Sequence, residues 1–62
     1  MELKIKRKNK SLTQQQLAEL VGVDRTLISK IECGAATPSV TTAKKIAAVL
    51  GFDWVKFFDD EQ

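Results

Sequence analysis

Between Leu12 and Leu50 apolar residues recur three and four positions apart, and this period predicts a succession of short amphipathic helices. In one of them, over about residues 13–20, Leu17, Leu20 and Val21 form a single stripe. Thr13 is placed to cap its first turn, and Gln16, three residues on, can return a bond to the Thr13 backbone. Leu12 and Leu17 bracket the cap as a hydrophobic staple. Gly22 supplies the positive φ that ends the helix. A second helix, over about residues 24–32, starts from Asp24 as N-cap. Val23 and Ile28 are its staple pair, Ile28 and Ile31 turn inward, and Gly34 stops it.

The other elements follow from the same reading. Pro38 keeps Thr37 extended, and Ser39 can cap a helix over about residues 39–50. Along it Val40, Ala43, Ile46, Ala47 and Leu50 recur at helical spacing up to Gly51. Asp53 can cap a last short helix, about residues 53–58, with Trp54, Phe57 and Phe58 on or near one side. At the other end Met1, Leu3 and Ile5 alternate with Glu2, Lys4 and Lys6, which is a strand pattern. A lone strand would leave its backbone unpaired in a helical chain, so residues 2–9 are read as a helix with Leu3 and Arg7 on one face. The expected fold is all-α: a compact bundle of five short helices in a single domain spanning residues 1–62, its acidic tail at 59–62.

A chain of 62 residues buries only about 60% of its unfolded surface and needs support. Cys33 is the one cysteine and there is no histidine, so neither a disulfide nor a tetrahedral metal site supplies it. Helix packing and dimerisation remain. No apolar run approaches the roughly 18 residues of a membrane span, and no apolar stretch follows the basic N-terminus. Neither a membrane partner nor a secretory leader is expected, and the lone thiol suits the cytoplasm. No nucleophile stands beside a base, and Asp59, Asp60 and Glu61 have no partner base, so no enzyme is expected. Nothing points to a cofactor or a small-molecule ligand.

Charge is divided along the chain. Residues 1–50 hold nine Lys and Arg against four acids, whereas residues 51–62 hold Lys56 against Asp53, Asp59, Asp60 and Glu61. The basic part can meet a polyanion; the acidic tail belongs on the far side.

The basic part also holds the two central helices. A small residue where they cross, Ala18, and a turn residue tolerant of positive φ, Gly22, let one helix hold the other rigidly at a steep angle. With Gly22 and Ile28, Ala18 sits at spacings suited to a close crossing, and Leu17, Val21, Val23 and Ile31 complete the core of the pair. The second helix turns Arg25, Thr26, Ser29 and Lys30 away from that core, a polar and basic face suited to the major groove of double-stranded DNA.

The pattern QxxLAxxxGVxxxxISxxE, with LTQQQLAELVGV, ISKIECG and KIAAVLGF around it, resembles the lambda-type repressor and Cro (Xre-like) helix-turn-helix family over roughly residues 3–58. The resemblance implies a lambda repressor-like DNA-binding domain and assigns roles by position. Arg25, Thr26, Ser29 and Lys30 match positions facing base edges; Arg25 and Lys30 suit guanine O6/N7, and Thr26 suits a thymine methyl. Thr13, Gln14 and Cys33 match backbone-contacting positions, Gln14 also bracing the first residues of the recognition helix. Arg7 and Glu32 match an ion pair joining the first and third helices. Relatives commonly dimerise through the C-terminal end, which makes Trp54, Val55 and Phe58 the candidate dimer face.

The chain departs from the family in three places. Lys6 stands at an often apolar position, so only its aliphatic stem is expected to pack. Ala35 and Ala36 replace basic residues, so affinity is expected to lean on the dimer, the first-helix lysines or Lys44. Cys33 replaces a polar residue, leaving its main-chain N–H as the expected contact. Two functions follow. The leading one is a sequence-specific transcriptional regulator, a repressor acting as a homodimer on a palindromic operator. The alternative is an antitoxin-like or anti-regulator protein-interaction module of the same fold. Steep salt dependence separates DNA binding from protein binding.

Overall fold

Four α-helices and one 3-10 turn make up the chain in a computed structural model that describes residues 2–58, so Met1 and the acidic tail lie outside the described residues. The helices are α1 (Leu3–Asn9), α2 (Gln14–Val21), α3 (Arg25–Glu32) and α4 (Val40–Leu50). The last element, Trp54–Phe57, is a 3-10 turn and not the fifth α-helix expected at 53–58. A segment this short gains little from i→i−4 bonding. The Asp53 carboxylate accepts the Val55 N–H at 3.1 Å to start it.

Local caps set most boundaries. The Thr13 Oγ1 accepts the Gln16 N–H at 3.0 Å, and the Gln16 Oε1 accepts the Thr13 N–H at 2.8 Å, closing the capping box. The Ser39 Oγ accepts the Thr42 N–H at 3.2 Å. Asp24 differs. Its backbone has N-cap geometry (φ −72°, ψ 146°), but its side chain makes no capping bond.

Gly22 lies at φ +86°, and a Cβ built there meets no atom within 4 Å. The turn therefore needs glycine for its dihedral, not for a close approach, and Ala18 alone is the small contact of the crossing. Among the described residues Ser11 is the one non-glycine residue at positive φ, +59°. It ends α1 as a left-handed cap: its N–H donates to the Lys8 carbonyl at 2.9 Å, and the Leu12 N–H to the Arg7 carbonyl at 3.3 Å.

α2 packs on α3 and α4, α1 packs on α3, and the 3-10 turn packs on α4. The core joins Leu3, Leu17, Ala18, Val21, Ile28, Ile46 and Leu50, with Leu12, Val23, Ile31, Phe52 and Phe57 packed against it. Two expected core positions fall outside. Leu20 is 60% exposed and Val40 is 49% exposed. α2 turns Leu17, Ala18 and Val21 inward to meet α3 and α4, which rotates Leu20 off the edge of the buried arc. Val40 is the first residue of α4, where the helix leaves the core.

Candidate nucleic-acid interface

α3 is anchored by its apolar side. Ile28 is fully buried, Ile31 is half-buried, and α2 packs on the helix with Ala18 and Ile28 in one buried cluster. The opposite side carries Arg25, Thr26 and Lys30, all exposed, with Ser29 half-buried beside them. These four residues share one helix of eight residues, Arg25–Glu32. Helical spacing groups Arg25, Thr26, Ser29 and Lys30 on one side of it.

The C-terminal end of α3 is fixed by a polar node. The Arg7 Nε donates to the Glu32 Oε2 at 2.6 Å and its Nη2 to the Oε1 at 3.2 Å, while Nη1 donates to the Leu12 carbonyl at 2.8 Å. Both side chains of the pair are largely buried, with 8% and 5% of their surface exposed. The Gln14 Nε2 completes the node, donating to the Glu32 Oε1 at 3.0 Å. One carboxylate thus receives donors from α1 and α2. Burial pushes the Glu32 pKa up, but the hydrogen bonds from Arg7 and Gln14 and the charges of Arg7 and Lys4 outweigh it, so the carboxyl lies below its ordinary value.

The expected backbone-contacting residues divide. Gln14 braces the last residue of α3 and not its first ones. Thr13 is exposed, but its hydroxyl is engaged by the Gln16 N–H. Cys33 is exposed, yet its N–H donates to the Ser29 carbonyl at 3.1 Å and its thiol to the Lys30 carbonyl at 3.5 Å. The main-chain N–H expected to be free at Cys33 is therefore committed inside the helix end. An open notch beside the start of α2 joins Lys8, Ser11, Thr13, Gln14 and Gln15 to Arg25 on α3. Lys8 is one of the first-helix lysines expected to add affinity, whereas Ser11 was passed over; a serine at the residue closing α1 was the available signal.

The C-terminal aromatics form a continuous edge. Trp54 meets Phe58 with ring centroids 6.0 Å apart, Phe58 meets Phe57 at 6.4 Å, and Phe57 meets Phe52 at 5.4 Å. Two lysines cover it: Lys6 Nζ stands 5.1 Å from the Phe52 ring and Lys44 Nζ 5.1 Å from the Trp54 ring. Lys6, expected to contribute only its stem, thus also uses its charge, and Lys44 is directed to Trp54. Of the candidate dimer face, Val55 is 48% and Phe58 41% exposed, whereas Trp54 is half-buried. Among the described residues no helix is long and apolar enough to cross a membrane.

The profile of the helix-turn-helix family matches residues 3–57, nearly the whole of the described fold. The chain belongs to that family. Its helix-turn-helix relatives include YqaF of Bacillus subtilis strain 168, an HTH-type transcriptional regulator 43% identical over 58 residues, or 94% of this chain and 76% of the relative. An HTH-type transcriptional regulator of Methanothermobacter thermautotrophicus is 44% identical over 50 residues, or 81% of this chain and 72% of the relative. The ImmF control region 10 kDa protein of Bacillus phage phi105 is 41% identical over 51 residues, or 82% of this chain and 57% of that protein. The lambda-type resemblance, the all-helical fold and a non-enzymatic, DNA-binding regulator class thus rest on the same residues. The matched region includes α2, the Gly22 turn and α3, two helices joined by a tight turn.

Proposed function

We propose that this helix-turn-helix protein is a sequence-specific transcriptional repressor that binds a palindromic operator as a homodimer, with α3 in the major groove. The observation that carries the reading is the division of α3: Ile28 is fully buried, while Arg25, Thr26 and Lys30 stand exposed on a helix pinned at its far end by Arg7 and Gln14. A recognition helix needs that combination, because misplacement loses bidentate contacts to base edges. Arg25 and Lys30 are assigned to guanine O6/N7, Thr26 to a thymine methyl and Ser29 to a base edge. Thr13 and Gln14 border the adjacent backbone.

Size supports two copies. The longest dimension of the fold is 30 Å, whereas successive half-sites on one face of the duplex lie about 34 Å apart. A dimer seated there would exclude polymerase from the same segment, which is repression by occlusion. Selection of bound sequences from a random duplex pool tests the reading. The expected product is an inverted repeat whose affinity falls steeply with salt. Arg25→Ala and Lys30→Ala each relax one base position at a cost of about 1–3 kcal/mol. Unchanged affinity and sequence preference after both are removed would show that α3 does not read the bases.

A further inference from the structure

We infer that Ser11, which lines the notch between α1, α2 and Arg25, is a phosphate-binding residue of the DNA interface, kept in a strained backbone conformation for its hydroxyl; this rests on the DNA-binding reading above.

Ser11 is exposed and lies at φ +59°, while the three other positive-φ residues among the described ones, Gly22, Gly34 and Gly51, are all glycines. A left-handed residue with a Cβ is strained, and nothing local recompenses it: among the described residues the Ser11 hydroxyl makes no hydrogen bond in the fold. Glycine would close α1 with the same two backbone bonds and no strain. Strain retained at one surface side chain points to a use for that side chain.

The notch supplies the use. Lys8 and Arg25 stand on its walls with Ser11, and among the described residues no carboxylate lines it. The other polar side chains around it already hold a bond within the fold: Arg7 to Glu32 and the Leu12 carbonyl, the Thr13 hydroxyl from the Gln16 N–H, the Gln14 amide to Glu32, and the Gln15 amide to Glu19 at 3.0 Å. Among the described residues that leaves Ser11, with Lys8 and Arg25, as the polar side chains of the notch that hold no bond within the fold. The matching ligand is a singly charged oxyanion with several acceptor oxygens, which on a duplex is a backbone phosphate. Arg25 then borders both a base edge and the phosphate beside it, linking affinity to register.

The test compares the wild-type chain with Ser11→Gly, Ser11→Ala and Lys8→Gln. Binding to a labelled duplex from the selected pool and to a scrambled duplex is measured across a salt series, together with Tm. The expected result is that Ser11→Gly melts higher than wild type yet binds both duplexes about tenfold more weakly, the worth of one hydrogen bond to a charged group. Ser11→Ala loses the same affinity with no gain in Tm, and Lys8→Gln lowers the salt slope by about one. Wild-type affinity in both Ser11 variants, with steep salt dependence intact, overturns the Ser11 assignment and leaves the DNA reading standing. Loss in Ser11→Ala that Ser11→Gly restores assigns the effect to strain and also overturns it. An unaltered slope in Lys8→Gln removes the phosphate seat. A wild-type chain that binds no duplex at low salt removes the DNA reading and the Ser11 assignment together.

Discussion

The Gln14 Nε2 donates to the Glu32 Oε1 at 3.0 Å, which ties the first residue of α2 to the last residue of α3. The middle of the helix pair is held by apolar contact at Ala18 and Ile28, and this bond adds a polar restraint at the end. Two restraints of different chemistry on one helix fix its tilt better than either alone. The same amide lies at the edge of the notch beside Arg25.

The members of this node are not worth the same. Removing Gln14 leaves Glu32 still paired with Arg7, so Gln14→Ala is expected to cost about 0.5–1.5 kcal/mol, the net value of one hydrogen bond. Removing Arg7 strands a buried carboxylate and frees the Leu12 carbonyl, so Arg7→Ala is expected to cost about 3–5 kcal/mol. Urea unfolding of the two variants checks the order. Equal, small losses would mean that the Arg7–Glu32 pair is effectively solvated.

Acid should act on the same node. Glu32 has its pKa lowered from an ordinary 4.5 in the folded chain, with Arg7 and Gln14 overcoming the effect of burial. A carboxyl held low when folded contributes its full stability above the unfolded pKa and loses it as pH falls through the lower folded value. Tm is therefore expected to change little from this group near neutrality and to fall as pH drops below about 4.5. Glu32→Gln should melt lower than wild type at neutral pH and show a shallower acid limb. Parallel acid limbs in the two proteins would assign the pH response to other carboxyls.

Features set within a few residues were legible in the sequence. The Thr13–Gln16 box and the Gly22, Gly34 and Gly51 ends depend on neighbours three to five positions away, and each formed where its residues predicted. Leu20 was misread because spacing alone cannot fix where the buried arc is centred. Counting about 100° per residue, Leu20 lies some 60° beyond Leu17 on the side away from Ala18, and Ala18 is buried in the core cluster. The other misses share one cause. The Gln14–Glu32 bond, the Lys6–Phe52 contact and the capture of the Cys33 N–H depend on how elements meet or end, and no local pattern encodes them.

Asp24 offers a gain in stability with a functional cost. It holds the N-cap position of α3 without capping it, whereas Thr13, Ser39 and Asp53 all accept the bond. Serine at an N-cap reaches the same backbone N–H without a charge. Asp24→Ser is expected to raise stability by up to about 1 kcal/mol. It also removes the one acidic side chain next to Arg25, so binding to scrambled duplex should strengthen more than binding to the selected operator. A lower Tm would show that the carboxylate stabilises the helix through its dipole, without a direct bond.

The proposed dimer face is the point at which stability and function should separate most cleanly. Phe58 is 41% and Val55 48% exposed at the end of the aromatic edge, while Phe57 packs against the core and Trp54 is covered by Lys44. Truncating or charging an exposed residue costs the fold little, but a charge in a dimer core carries a desolvation penalty on both copies at once. Phe58→Glu is therefore expected to leave Tm close to wild type and to move sedimentation equilibrium towards monomer. On DNA the same variant should lose the advantage of an inverted repeat over a single half-site, because each copy then binds alone. Phe57→Glu, by contrast, should lower Tm, since that ring packs on the core. If Phe58→Glu keeps the full preference for an inverted repeat, the two copies must meet through some other surface, and Val55 and Phe58 lose their assigned role.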